Sequence, residues 1–383
     1  MRQATAVILL AVLLLVLPVE SRAAELEVGG KSVLLMDAAT GTILYEKNSH
    51  EALAPASVTK VMTMLLIMEA VDSGQLRWED TVTASAAAAA KGGSQIYLKE
   101  GETMTVQDML KSIAVSSAND CACAMAEHIA GSEAAFVERM NTRAQELGMK
   151  DTHFVNCTGL DDSPEAANHR TCAHDIALMS RELIKNHPDI KKFTTIWMDS
   201  VRGGAFGLSN TNKLVRFYSG ATGLKTGFTS GAGYCLSATA ERENMELIAV
   251  VMGAETSQER FAACKSMLDY GFANYAVIHP DLTEAGSVPV RLGNAAYVSP
   301  RLGGDSALLI EKSRKNSVTT EVTLEETVTA PVEQGQRLGT LTVKAGEEIL
   351  AEIPLVAAEQ VTRLGWSDLF RRVLGRVSMA KNV

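Results

Sequence analysis

The chain is short of several things that would have decided its class at once. Its six cysteines, Cys121, Cys123, Cys157, Cys172, Cys235 and Cys264, include no Cys-x-x-Cys pair, so neither a zinc ribbon nor a dithiol redox centre is signalled. Its seven histidines form no His-Glu-x-x-His, and no metal or cofactor is expected. Basic residues are outnumbered, 36 Lys and Arg against 45 Asp and Glu, for a net charge of -9, so no nucleic-acid partner is expected. There is no internal repeat and no low-complexity linker. The apolar run Ala6 to Leu17 is too short to span a bilayer comfortably. With Arg2 before it, Pro18 after it and Ser21-Arg22-Ala23 offering small residues at a cut, residues 1–23 read as an export signal cleaved after Ala23. An uncleaved anchor is the alternative. Export would permit disulfides, but Cys121 and Cys123 face different ways on a helical pattern, so buried free thiols with at most one bridge are expected.

With 383 residues, 46% of them hydrophobic, there is material for a large core and about two domains. Residues 31–47 alternate in the strand manner around the turn Ala38-Ala39-Thr40-Gly41, which predicts a hairpin. Helical spacing predicts helices over 57–72, 105–116, 120–130, 133–147, 173–186 and 257–274, with strands over 233–240 and 245–252. After His279-Pro280 the pattern becomes short alternating segments separated by Gly and charged turns, a small all-β module to about 362. In the tail, Trp366, Leu369, Phe370, Val373, Leu374 and Val377 fall on one helical stripe, with Arg371 and Arg372 off it. Such a helix suits a membrane interface, or else docks on the protein itself.

One stretch is chemically awkward. In Ala56-Ser57-Val58-Thr59-Lys60, a lysine opens a run otherwise built for burial, and removing an ammonium from water is costly. On a helix Ser57 and Lys60 share a face. A lysine held partly buried near other positive charge loses its proton more readily, and a neutral amine can take the proton of a serine hydroxyl. Taken singly, the spacing equally fits a serine cap beside a snorkelling lysine. Two further motifs accompany it. Ser117-Ala118-Asn119 is the only Ser-x-Asn in the chain, where a hydroxyl and an amide could face a cleft or cap the helix that follows. Lys225-Thr226-Gly227 fits an edge strand, its lysine and threonine suited to a carboxylate and its glycine to close backbone approach.

Ser-x-x-Lys, Ser-x-Asn and Lys-Thr-Gly in this order, with gaps of 60 and 108 residues, resemble the serine penicillin-recognising enzymes. The resemblance is closest to the low-molecular-mass penicillin-binding proteins that act as D-alanyl-D-alanine carboxypeptidases, and it covers nearly the whole chain. It implies an α/β (α+β) transpeptidase/β-lactamase-like domain over 24–278, an antiparallel five-stranded sheet flanked by helices, followed by a small all-β domain over 279–362 and an amphipathic anchor over 363–383. It implies Ser57 as nucleophile, Lys60 as its base and Ser117 as proton relay. Asn119, Lys225, Thr226, Gly227 and Arg260 would bind substrate, with an oxyanion hole from the backbone N–H groups of Ser57 and Phe228. His169 and Asp175 in "NHRTCAHD" would support a loop, with Cys172 a departure where a small hydroxyl residue is common. The implied partners are peptidoglycan stem peptides ending in D-Ala-D-Ala, β-lactams as covalent inhibitors, and a membrane surface. A β-lactamase on the same fold is disfavoured, since no Glu-x-x-Leu-Asn stands in 150–180. A non-enzymatic wall-binding protein would leave three intact polar motifs unused.

Overall fold

The computed structural model describes residues 26–282, 285–304, 306–366 and Phe370. The expected export signal lies outside them, as does the tail stripe apart from Trp366 and Phe370. The hairpin forms from β1 (Ser32–Asp37) and β2 (Ile43–Lys47), closed where Asp37 Oδ1 accepts from Thr40 N–H and Oγ1–H. The longer helices that follow are α1 (Lys60–Asp72), α2 (Val106–Ser116), α3 (Asn119–Ala130), α4 (Glu133–Glu146) and α5 (Ala173–Asn186). The chain then returns to strand with β3 (Ala221–Thr229), β4 (Gly233–Arg242) and β5 (Met245–Ala254), and α6 (Ser257–Asn274) closes this part.

The sheet is antiparallel throughout, in the order β2-β1-β5-β4-β3, so strands from the two ends of this part of the chain pair in its middle through Leu34 with Val250. Strand periodicity assigns each residue to a face. Leu34, Met36, Ile248, Val250 and Met252 pack against α1–α5, while Val33, Leu35, Leu247, Ala249 and Val251 pack against Met267 and Leu268 of α6. Both faces being covered, the central strands read as apolar runs rather than as alternation.

α1 runs through the middle of the helical layer and buries Val61 to Met68 without a break. It has no solvated face, as suits a helix enclosed on all sides. Within the sequence-predicted span 57–72, Ala56–Thr59 form a 3-10 turn and the α-helix begins only at Lys60. β3 is the edge strand beside that turn. Gly227 permits the approach: a Cβ there would lie 2.7 Å from Pro55 O and 3.0 Å from the backbone N of Ser57 and of Val58.

The chain leaves α6 as the strand Tyr275–Ile278, which pairs antiparallel with Leu308–Glu311 and so ties the helix exit to the β module. The module's largest sheet orders Pro300–Leu302, Glu348–Ala357, Arg337–Ala345 and Val318–Leu324, with Leu341, Val343, Ile353 and Leu355 buried beneath it. Sequence reading missed the hairpin Met198–Val201 with Phe206–Ser209, and the pair Thr81–Thr83 with Thr103–Thr105. These elements have only three or four residues each, too few to establish a period.

Candidate active site

Ser57 stands in the 3-10 turn, half-buried, directly after Ala56, whose φ of 48° is strained for a residue with a side chain. What holds this turn comes from far along the chain. Thr59 Oγ1–H donates to Ala56 O at 2.8 Å, and the same oxygen lies 2.8 Å from His169 Nε2. Val155 N–H donates to His169 Nδ1 at 3.2 Å, so the imidazole carries its proton on Nε2 and is neutral. Burial, with His153, Arg170 and Lys60 nearby, pushes its pKa down to about 4, in keeping with that state. Gly159, at φ 79°, passes so close that a Cβ would overlap Ala56 O.

Lys60 is fully buried, with Nζ 3.0 Å from Ser57 Oγ and donating to Thr158 O at 2.8 Å. Desolvation pulls its pKa from 10.5 down to about 7, against the raising influence of Cys157 and Asp120. At neutral pH a large fraction of this amine is therefore unprotonated, within reach of the serine hydroxyl.

The Ser-x-Asn segment is placed by the end of α2. Ser117 takes a left-handed conformation, φ 64°, as the residue that stops α2, and Asn119 opens α3. Neither side chain caps the helix: the cap position is Ala118. Ser117 Oγ and Asn119 Oδ1 are buried without a hydrogen-bond partner, a costly state unless a ligand completes them. Asn119 Nδ2 donates to Gly92 O at 2.7 Å, while Asp120 accepts from the backbone N–H groups of Ile96 and Leu98. The segment 92–98 is thus fastened over the start of α3.

The opposite wall is β3. Lys225 is buried and donates to Thr226 O at 2.9 Å. Desolvation first, then the charges of Lys60 and Arg260, hold its pKa well below the ordinary value. Thr226 Oγ1 bonds Thr211 Oγ1 at 2.7 Å, and Thr211 N–H donates to Val115 O, which bridges the strand wall to the end of α2. Arg260, on the first turn of α6, is no surface residue: it is buried, and Nη1 donates to Gly227 O at 2.8 Å and Cys235 O at 3.2 Å. Its Nε remains unpartnered. Phe228, next along the strand, is about half exposed and stacks on Tyr234 with ring centroids 4.3 Å apart.

The three motifs are therefore brought together: Lys225 feels the charge of Lys60, Gly227 lies against the Ser57 turn, and Thr211 ties Thr226 to the end of α2 that carries Ser117. His169 and Asp175 are not brought together with Ser57 as a relay. His169 faces Thr59, and Asp175 accepts from Thr152 Oγ1–H and Asp151 N–H. All six cysteines are buried and free. Thr158, Thr211, Thr59 and Gly159 escaped the sequence reading because they carry no motif and act across separations such as the 98 residues between Lys60 and Thr158.

The family model for D-alanyl-D-alanine carboxypeptidase matches residues 19–256, and that for the penicillin-binding protein 5 C-terminal domain matches residues 277–363. The chain is 44% identical over 361 residues to the D-alanyl-D-alanine carboxypeptidase DacF of Bacillus subtilis (strain 168), covering 92% of this chain and 91% of that one. Among solved structures, penicillin-binding protein 5 of Haemophilus influenzae superposes with a TM-score of 0.74 at 30% identity, over 89% of this chain and 100% of that one. Penicillin-binding protein D2 of Listeria monocytogenes, in its cefotaxime-bound form, gives 0.60 at 32% identity over 65% of this chain and 99% of that one. Likeness of this extent spans the hairpin, the helical layer and the β module alike, and the chain belongs to the D-alanyl-D-alanine carboxypeptidase family of serine-type hydrolases.

Proposed function

We propose that the chain removes the terminal D-alanine from peptidoglycan stem peptides ending in D-Ala-D-Ala, through an acyl-enzyme on Ser57. Neutral Lys60 takes the hydroxyl proton as Ser57 Oγ attacks the carbonyl carbon between the two D-alanines. The oxyanion sits on the N–H groups of Ser57 and Phe228. Ser117 passes a proton to the leaving amine, D-alanine departs, and water then cleaves the ester with Lys60 again accepting the proton. Asn119 holds the peptide amide. Lys225 and Thr226 bind the terminal carboxylate, whose charge would favour the protonated form of Lys225. Arg260 acts from behind, fixing the Gly227 carbonyl and adding positive potential. The observation that carries this reading is the buried Lys60 amine, with a pKa of about 7, 3.0 Å from Ser57 Oγ. The unpartnered Ser117 and Asn119 atoms support it from the other wall.

β-Lactams would acylate the same serine, in keeping with the cefotaxime-bound form of the Listeria relative. The working protein would be exported by residues 1–23, with 24–278 as catalytic unit, 279–362 as docking or stalk unit and 363–383 resting on the membrane surface. Trp366 and Phe370 are exposed, 90% and 66%, in keeping with an interfacial tail. Among the described residues no helix is long and apolar enough to cross a membrane. The test is incubation with a labelled penicillin, followed by peptide mapping. Label on Ser57, and loss of both label and D-alanine release in folded Ser57→Ala, are expected; label elsewhere, or unchanged release, overturns the mechanism.

A further inference from the structure

Beneath the loop that leads to Ser57, three metal-binding side chains from three distant segments meet. His50 follows β2, Asp151 follows α4, and Cys172 is the cap residue of α5. His50 Nδ1 lies 2.8 Å from Asp151 Oδ2, Cys172 Sγ lies 3.7 Å from the same oxygen, and all three ligand atoms fall within 4.8 Å of one another. We propose that His50, Asp151 and Cys172 bind a zinc ion, with water completing the coordination on the exposed side.

The donor set selects the metal: thiol, imidazole and a single carboxylate suit zinc, whereas calcium and magnesium take oxygen. A tetrahedral zinc with bonds of about 2.0–2.3 Å sets its ligand atoms roughly 3.3–3.8 Å apart, so the trio, whose ligand atoms lie within 4.8 Å of one another, needs adjustments of about 1 Å. The charge balance also favours a cation. Cys172 Sγ lies against the Asp151 carboxylate and accepts from the backbone N–H of Asp175, whose own side chain is almost wholly buried. The ion-pair partners of these two acids among the described residues are the imidazoles of His50 and His174. The latter ring stacks on His50 at 4.5 Å and bonds Asp175, as an outer partner orienting a ligand would. On binding, the thiol gives its proton to solvent, and the metal's own charge favours the thiolate against the burial that otherwise keeps the thiol protonated.

A second trio, Glu69, Glu182 and His187, shows what a filled site looks like. There Arg143 donates to both carboxylates, so its guanidinium already supplies the cation. The His50 site has a further consequence. Leu53 and Thr171 exchange two backbone hydrogen bonds between the trio and Ser57, and Thr152 bonds Thr171. Zinc would fasten together the segments that carry Ser57, Thr158 and His169.

The test uses the full chain stripped with a chelator and returned to zinc or cobalt. Equilibrium dialysis should give one zinc per chain, with a zinc-dependent rise in the thermal midpoint. Cobalt should show the thiolate-to-metal charge-transfer band of a sulfur-ligated tetrahedral site. Cys172→Ser, which keeps a small polar cap on α5, should abolish that band; His50→Gln, at an exposed position, should weaken zinc by more than about a hundredfold, beyond what losing an outer partner costs. Absence of zinc binding, a cobalt spectrum without the band, or a band that survives Cys172→Ser overturns the site.

Discussion

The part of the chain before Ile278 and the β module after it bury different things. Before it, Lys60, Lys225, Asp120, Asp175, His169 and Arg260 lie in the interior alongside the apolar core. After it, among the described residues, every buried side chain is apolar, from Val288 to Val361. Burying charge costs free energy that apolar packing does not, so its concentration in one region marks where chemistry was selected over stability. Among its described residues the module contributes strands and no buried polar side chain.

That contrast can be broken in four ways. The largest effect is expected of Lys60→Met. It should slow acylation by labelled penicillin roughly 10²–10⁴-fold, the range for losing a general base, while raising the thermal midpoint because a desolvated amine is gone. A fall in both would mean that the lysine serves packing. Next comes Gly227→Ala, whose Cβ would press on Pro55 O and the Ser57 backbone. It should destabilise by about 1–3 kcal/mol, as overpacking does, and should also slow acylation, because the strand and the serine turn must separate. Normal acylation in a folded Gly227→Ala protein would show that their contact is dispensable.

The third is pH. Acylation should rise as pH climbs through about 7, where Lys60 loses its proton, and this limb should be absent in a variant with another base. The stability sign follows from the same shift. Between about 7 and 10.5 the unfolded amine holds its proton while the buried one does not, so the unfolded state binds more protons and raising pH favours the fold. Lys225, depressed for the same reason, adds to that slope. Denaturation across this window should show a slope that diminishes in Lys60→Met. The smallest effect on the site is expected of Leu341→Ala. It should cost about 2–5 kcal/mol within the module, yet leave the acylation rate unchanged; a slowed rate would mean that the module shapes the cleft.

Much of the frame was legible because it repeats locally. The spans of α5 and α6 follow from periodicity alone, and α4 differs by one residue from its sequence-predicted end. The edge-strand placement of Lys225 also stands. Less legible was how the polar residues behave once folded. Ser117 and Asn119 fit a helix cap by pattern, yet neither caps: Ser117 turns left-handed, and both oxygens are buried without a partner. Gly227 suited close approach by pattern, but its neighbour in the structure is the Pro55–Val58 backbone. The resemblance implies Arg260 as a substrate-binding residue, and its guanidinium turns inward to two strand carbonyls, those of Gly227 and Cys235.

By itself, the sequence determined what a spacing of two, three or four residues can determine: which stretches coil or extend, which faces are apolar, and that Ser57 and Lys60 are neighbours. The tertiary structure alone decided that Lys60 is fully buried, that Thr158 and His169 hold its surroundings, and that His50 meets Cys172. Desolvation and contact across a hundred residues depend on how segments pack against one another, and no local pattern of side chains encodes that distance.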